Sequence, residues 1–421
     1  MKFDVAVVGS GLAALVATHS LQKAGRQPVL VWPGLSSLYF VYATIDVLGY
    51  ADPATTEPID NPASAVAALI EAQPDHPYSR AGIGALRDGI GLMTGWLKEA
   101  GFRWQGSMDR NTLLPTAIGS PKPSCLYPVS MAAGDLRRRE PIVLCGFDGY
   151  EDFVPELAAA NLSKTWGGTV RALRIRLPRF EPGRQFGSVD LARSFEDQSF
   201  RREVVERMRA AIAGDGNGLR IGVPAVLGLT HDSAVHAHME GELGHPVFEI
   251  PTLPPSLLGL RLFDRLRKHL QETGVEIIWA APAHAAEVSD GRCRRIHLKS
   301  AARDQPIEAR AYVLALEDTV DGALRAGVHT LQDPFFHQAL SRSAAPAERT
   351  DESLFKPQPF ASVGYRVTDR LQPATEEGRP LAANVFVAGG AIAGYDPTGT
   401  KSRGGMAIAT GYRAAQEAMA A

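Results

Sequence analysis

Two glycine clusters and two arginines carry the residue types and spacing that point to chemistry in this chain. Gly9-Ser10-Gly11-Leu12-Ala13-Ala14 follows the pattern G-x-G-x-x-A. The first glycine permits a tight turn, the second lets backbone touch a phosphate, and the small Ala14 lets helix and strand pack closely. A helix start carries unpaired N–H groups and the positive end of a dipole, so it suits an anion. Near the other end, Gly389-Gly390 and Arg403-Gly404-Gly405-Met406 form a second cluster. A helix starting there, aimed at the pyrimidine edge of a flavin, would stabilise the negative charge of the reduced ring. Arg403 stands among those glycines where a small residue is more usual, which makes it a candidate for chemistry. Arg261 follows the proline-fixed stretch Pro251–Pro255. An arginine on a rigid platform can grip a phosphate or carboxylate with two parallel bonds. The plainer reading of Arg261 is a charge on a helix surface.

The elements that must position these groups come next. Phe3-Asp4-Val5-Ala6-Val7-Val8 reads as a buried parallel strand feeding the glycine loop, and a helical stretch runs on to about Gly25. The second strand, Pro28–Val31, ends at Trp32-Pro33-Gly34. Dinucleotide-binding units place an Asp or Glu about 20 residues beyond the loop to hold ribose hydroxyls. Trp32 is found instead; it can stack on a ring but cannot accept a bidentate ribose contact. The expected cofactor contacts are therefore Gly9, Ser10, Gly11, Leu12, Ala13 and Ala14, then Trp32, Ser36 and Ser37. From the second cluster come Gly389, Gly390, Gly404, Gly405 and Met406. A phosphate is better supported than an adenosine half.

The fold class expected is α/β: a Rossmann-like flavin-binding domain, βαβ plus a β-hairpin or sheet insert, with an inserted second α/β domain. Residues 1–120 and 246–421 are assigned to the flavin-binding domain, and 121–245 to a substrate or interaction domain. Gly34 to Tyr50 is undecided between helix and extended loop, because its periodicity favours neither. Helices are expected over 63–72, 84–100, 151–162, 199–213 and 256–273. Strands are expected over 141–145, 169–177, 219–224, 274–279 and 309–316. Asp290-Gly291, flanked by Ala285–Val288 and Cys293–Leu298, signals a hairpin. Thr116 to Tyr127, with Pro121 and Pro123, reads as a crossing between domains.

Composition narrows the function classes. A chain of 421 residues is too long for one ordinary core. Its net charge of −2 gives no electrostatic case for nucleic acid. No apolar run approaches the ~20 residues that span a bilayer, and Met1-Lys2 leads directly into the first strand, so a cytoplasmic chain is expected. Cys125, Cys145 and Cys293 stand far apart, which excludes an iron–sulfur cluster held by four thiolates of this chain. His231, His236, His238 and His245 cluster near Asp232, Glu240 and Glu242 but without periodicity, and a solvated loop is favoured over a metal site. Arg137-Arg138-Arg139 reads as a solvated face, with docking of an acidic partner the sharper alternative. No nucleophile–base arrangement for hydrolysis is legible.

The run Ile250-Pro251-Thr252-Leu253-Pro254-Pro255-Ser256-Leu257-Leu258-Gly259-Leu260-Arg261-Leu262 resembles the mid-chain signature of the B-subunit of anaerobic glycerol-3-phosphate dehydrogenase. Phe355-Lys356-Pro357-Gln358-Pro359-Phe360, His76-Pro77-Tyr78-Ser79 and the stretch from Gly146-Phe147 to Asp152-Phe153 resemble it too. The order of these blocks covers nearly the whole chain. The resemblance implies a flavin-bearing subunit, built like fumarate-reductase-like flavoproteins, in a complex oxidising sn-glycerol 3-phosphate to dihydroxyacetone phosphate. It also implies a sister subunit carrying FAD, and another carrying iron–sulfur clusters and the membrane contact, with electrons passing to quinone. The chain would then be peripheral to the inner face of the cell membrane. The B-subunit family is associated with FMN, while the glycine pattern is that of an FAD fold; FMN leads by family and FAD follows by architecture. One departure stands out: the apolar strand ends Ala315-Leu316-Glu317 where such flavoproteins have Ala-Thr-Gly. A partly buried carboxylate there would repel a pyrophosphate by ~1 kcal/mol or more, so either Glu317 points away or the adenine half is absent. A free-standing FAD-dependent oxidoreductase and a cofactor-free scaffold subunit are the alternative functions.

Overall fold

The computed structural model describes residues 2–180, 185–216, 218–299, 305–317, 325–327, 331–337, 340, 349–353 and 356–421. The chain opens with β1 (Lys2–Val8), α1 (Leu12–Lys23) and β2 (Pro28–Val31). Helices α2 (Pro62–Ala72), α3 (Pro77–Ala81) and α4 (Ile83–Glu99) follow. Asn61 caps α2 by accepting from the Ser64 N–H at 2.9 Å, with Pro62 at its first position, the side-chain chemistry that starts helices.

Four short strands come next: β3 (Trp104–Gly106), β4 (Thr112–Pro115), β5 (Pro121–Ser124) and β6 (Leu126–Pro128). They pair antiparallel as β3 with β6 and β4 with β5. Thr116 to Tyr127 is thus not a bare crossing: Pro121 and Pro123 sit in a two-stranded ribbon, where prolines are tolerated because no further strand needs their missing N–H. An α/β run then carries β7 (Ile142–Phe147), α5 (Pro155–Trp166), β8 (Val170–Ile175), α6 (Ser188–Glu196), α7 (Gln198–Ile212), β9 (Arg220–Pro224), α8 (Asp232–Leu243) and β10 (Val247–Ile250). Finally come α9 (Leu257–Glu272), β11 (Glu276–Ile278), β12 (Ala283–Ser289), β13 (Arg292–Leu298), β14 (Gln305–Leu314), the two-residue strands β15 (Arg325–Ala326) and β16 (Leu331–Gln332), β17 (Val385–Val387) and α10 (Arg403–Met419).

The chain divides into two compact units. The first comprises Met1–Ser37, Ile45–Ala100 and Arg265–Ala421. Its seven-stranded sheet has the order β11-β2-β1-β14-β13-β12, with β17 also paired to β14. Pairings among β11, β2, β1, β14 and β17 are parallel, and β12, β13 and the start of β14 form an antiparallel extension. Strands buried on both faces read as continuous apolar runs, which is how β1 and β2 appear in the sequence. Asp290 and Gly291 both take positive φ, 53° and 68°, the geometry a two-residue hairpin of primed type requires. Buried Asn384 ties this hairpin to the parallel strands, accepting from Cys293 N–H at 2.8 Å and donating to the Cys293 and Arg310 carbonyls at 2.9 Å each.

The second unit comprises Leu38–Thr44 and Gly101–Asp264. Its parallel sheet runs β10-β9-β7-β8, around a core that includes Leu144, Phe147, Phe195, Phe200, Ile221 and Phe248. It is wider than the 121–245 assigned from sequence. The ribbons β3 to β6 belong to it, and a buried ion pair joins Arg261 on α9 to Glu249 on β10. The undecided segment Gly34 to Tyr50 holds a single 3₁₀ turn, Ser37–Phe40, and no longer helix. The histidine-rich segment is not a loop: His236 and His238 lie on α8, whose end at Gly244 takes the left-handed conformation. Among the described residues no group of three or more His, Cys, Asp or Glu is placed to hold a metal ion.

Candidate flavin site

The parallel register delivers the first glycine cluster to the end of β1, between β2 and β14. Gly9 has φ +146°, and a Cβ there would lie 2.0 Å from the Ala315 carbonyl oxygen. Neither backbone can retreat: Gly9 N–H donates to Val31 O at 3.0 Å, and Ala315 N–H to Val8 O at 2.8 Å. Only glycine fits. Gly11 caps α1, with no side-chain cap and no acidic residue in the first turn. Ala13 and Ala14 are fully buried. A Cβ on Gly411 of α10 would meet Ala13 O at 2.6 Å, so small residues at both positions let the two helices cross closely.

The other expected contacts divide. Ser10 and Ser36 bind each other's segments, Ser36 Oγ donating to Ser10 O at 2.6 Å and Ser10 Oγ to Leu35 O at 3.3 Å. Ser36 is buried in that role, which braces the loop, while Ser37 opens the 3₁₀ turn half-buried. Trp32 offers no open stacking platform. It is 3 % exposed, its Nε1 donates to Gly34 O, and its ring packs 5.4 Å from that of Trp279.

In the second cluster, Gly389 has φ +75°, donates its N–H to Thr410 Oγ1 at 2.9 Å, and lies close enough to Ala13 that a Cβ would be 3.0 Å from the alanine methyl. Gly390 follows in the same 3₁₀ turn. Gly404 lies against Ile45 and Asp46, and Gly405 against Val47 and the Tyr78 hydroxyl, at 2.4 Å from where its Cβ would be. The Gly405 amide donates to Asp46 O at 2.9 Å and that of the buried Met406 to Ser402 O at 2.9 Å. These two N–H groups are therefore spent within the chain, and helix packing accounts for Gly405. Arg403 opens α10, about one-third exposed, with Nη1 3.8 Å from Glu317 Oε2.

Arg261 departs further from its expected role. Its side chain and that of Glu249 are both fully buried. Nη1 donates to Glu249 Oε2 at 2.8 Å, Nη2 to Oε1 at 3.1 Å, and Nε to Gly228 O at 2.8 Å. A guanidinium whose fork is already filled has no face left for a substrate phosphate. Its place in the proline signature is structural, as is that of Gly259, where a Cβ would fall 1.9 Å from Leu38 O. Phe355 of the other signature run lies outside the described residues.

Three further groups, none among the expected cofactor contacts, are Tyr78, His76 and Glu317, with Tyr78 against Gly405 and Glu317 facing Arg403 at the start of α10. Tyr78 donates its hydroxyl to Val47 O at 2.5 Å. His76 Nδ1 accepts from the Tyr78 N–H at 3.1 Å, and its ring stacks on Tyr78 and meets Tyr395 edge-on. Burial pushes the His76 imidazole down to about 4, so it is neutral at physiological pH. His-Pro-Tyr is visible in the sequence, but only as a signature.

The third group is Glu317. A Cβ on Gly11 would fall 1.9 Å from Glu317 Oε1, so the carboxylate lies on the loop instead of pointing away. The backbone of the loop thus fits a flavin phosphate, through the Gly9 turn and the bare start of α1. The side chain over Gly11 does not fit a pyrophosphate crossing the same spot. A cavity of about 680 Å³ opens at the other end of β1, by Asp4 and Val5. Arg294 pairs there with Asp290 at 3.0 Å, and Arg310 lies 3.8 Å from Asp4.

Comparison with known proteins agrees with this architecture. The family described as FAD binding domain matches residues 4–405. A Halobacterium salinarum protein, named as a probable anaerobic glycerol-3-phosphate dehydrogenase B-subunit, is 31% identical over 98% of this chain and 97% of its own length. The Vibrio cholerae protein named as the anaerobic glycerol-3-phosphate dehydrogenase B-subunit is 28% identical, over 100% of this chain and 97% of its own. Among solved structures, a 3-ketosteroid delta1-dehydrogenase from Sterolibacterium denitrificans covers 100% of this chain and 99% of its own at 11% identity, with a TM-score of 0.45. With a strand, a glycine turn and a helix start in the order the sequence pattern calls for, and relatives matching from end to end, the chain belongs to the FAD binding domain family and, within it, to the B-subunits of anaerobic glycerol-3-phosphate dehydrogenases.

Proposed function

We propose that this chain is the flavin-bearing subunit of a complex that oxidises sn-glycerol 3-phosphate to dihydroxyacetone phosphate and passes the electrons to quinone. The observation that carries the reading is the β1–Gly9–Gly11–α1 turn, whose backbone geometry suits a cofactor phosphate, in a chain whose full-length relatives bear that enzyme's name. Oxidising the secondary alcohol removes two electrons and two protons, and a bound flavin supplies the redox chemistry. The Gly9 turn and the bare start of α1 let the loop approach the phosphate, and the Ser10–Ser36 bonds hold it in shape.

Electrons must leave through other chains. Cys125, Cys145 and Cys293 are free and buried, and burial pushes the Cys145 and Cys293 thiols up to about 12, far from thiolate ligands. Among the described residues no helix is long and apolar enough to cross a membrane. A partner with iron–sulfur centres and the membrane contact, beside an FAD-carrying sister subunit, completes the proposed assembly. The finer reading of this chain's cofactor is FMN, because Trp32 replaces the ribose-holding acid. The native complex is the test: purified intact, it should turn over glycerol 3-phosphate with quinone, and flavin released from this chain by heat should have the mass of FMN. The isolated chain should show negligible turnover. Full activity of the lone chain would reject the complex, and a full equivalent of FAD would reject FMN.

Arg403 is proposed as an electrostatic partner of the reduced flavin, together with the start of α10. Arg403→Ala should lower the flavin midpoint potential while changing binding of the oxidised form less. A spectroelectrochemical titration reads this directly; an unchanged potential with flavin fully bound would return Arg403 to a purely structural role.

A further inference from the structure

Glu317 lies where the sequence pattern calls for phosphate. Relative to a Cβ built on Gly11, Oε1 is at 1.9 Å, Cδ at 2.5 Å and Cγ at 2.9 Å, so the side chain lies along the Cα of Gly11 itself. It is 6 % exposed, and its second oxygen faces Arg403 Nη1 at 3.8 Å. The first turn of α1 carries no acidic residue of its own, so Glu317 brings negative charge to a helix start that favours it. The backbone beneath Glu317 is fixed, because Ala315 is clamped between Val8 and Gly9. Room over Gly11 can come only from rotating the side chain, not from shifting the strand.

This geometry does not weigh equally on the two flavins. In FAD the pyrophosphate must cross the loop to carry the adenosine to the end of β2. A molecule that ends at one phosphate need not pass beyond Gly11. Like charge and filled space both oppose the longer cofactor there, and beyond it Trp32 offers no carboxylate for the ribose.

We propose that Glu317 is the residue that selects the cofactor: its carboxylate fills the space over Gly11, admits FMN and excludes FAD, with Arg403 as its counter-ion. The inference rests on the flavin-binding reading above and adds the residue that sets its specificity.

The test is a pair of binding titrations on full-length protein stripped of flavin, with FMN and FAD added separately and the quenching of flavin fluorescence followed. Wild type should bind FMN at least about tenfold more tightly than FAD. Glu317→Ala and Glu317→Gly should tighten FAD by about tenfold or more while FMN stays within about threefold, since each removes both the charge and the bulk. Glu317→Gln keeps the size of the side chain, guards against a folding defect in the smaller variants, and should gain FAD part-way. Wild type that takes FAD as readily as FMN, or FAD binding unmoved in all three variants, overturns the selection by Glu317 and leaves the flavin reading standing. No flavin bound by wild type or by any folded variant overturns both, in favour of a cofactor-free subunit.

Discussion

Arg261→Ala is expected to destabilise the second unit by roughly 3–5 kcal/mol, because it leaves the Glu249 carboxylate buried without its partner. Both side chains are fully buried, and Glu249 also accepts from the Leu227 N–H at 3.0 Å. Burial by itself would raise the Glu249 carboxyl; the Arg261 charge and its hydrogen bonds overcome this and hold it below the ordinary value of 4.5. A carboxylate depressed on folding stabilises the protein above its unfolded pKa, and that stabilisation is lost as pH falls through the lower folded value. In Arg261→Ala the desolvation stands almost alone, so Glu249 should take up a proton on folding. The gap between wild type and variant should then narrow as pH drops from about 8 to about 5. Urea melts of the full chain at both pH values measure it. Pairing Arg261→Met with Glu249→Leu should lose less stability than Arg261→Ala, since an apolar pair of similar volume replaces an ion pair at little cost. Loss of activity with stability unchanged at both pH values would instead return Arg261 to a substrate-binding role.

The same arginine shows what sequence could and could not reveal. Its position after the proline run was legible, and so was the chemistry of a bidentate grip; the identity of the gripped group was not, because Glu249 is twelve residues away on a neighbouring strand. Local patterns fared better. Apolar strands, the Asp290-Gly291 turn and the glycine loop follow from contacts within a few residues, and the structure has them where the pattern puts them. The proline-rich stretch before Tyr127 misled because β-ribbon pairing of β4 with β5 has no apolar alternation to betray it. The histidine cluster misled because helix α8, with Val235, Met239 and Leu243 buried, carries its glycine Gly241 inside its last turn. Glu317 was visible as an anomaly of charge. Where its side chain points depends on the β1–β14 register, which joins residues about three hundred positions apart.

The two glycines of the first loop should fail differently, and the contrast bears on what the loop is for. Gly9→Ala places a methyl group against the Ala315 carbonyl and forces an L residue to φ near +146°. Because hydrogen bonds to β2 and from β14 fix both backbones, the strain has no local outlet. A loss on the order of 3 kcal/mol or more is expected, with flavin retention lost alongside. Gly11 has an ordinary φ of −88°, and what lies over it is a side chain. A larger residue there can be relieved by rotating Glu317, so Gly11→Val should cost the fold only about 1–2 kcal/mol. The valine would nonetheless push the Glu317 carboxylate out of the space over Gly11 and against the phosphate beside it. Visible flavin absorbance per chain should therefore vanish in Gly11→Val while the second unit, followed by proteolytic resistance of residues 101–264, stays intact. In Gly9→Ala the melting temperature should fall as the absorbance does. A fully yellow Gly11→Val protein would mean that the phosphate does not sit on this loop, whatever the loop's sequence suggests.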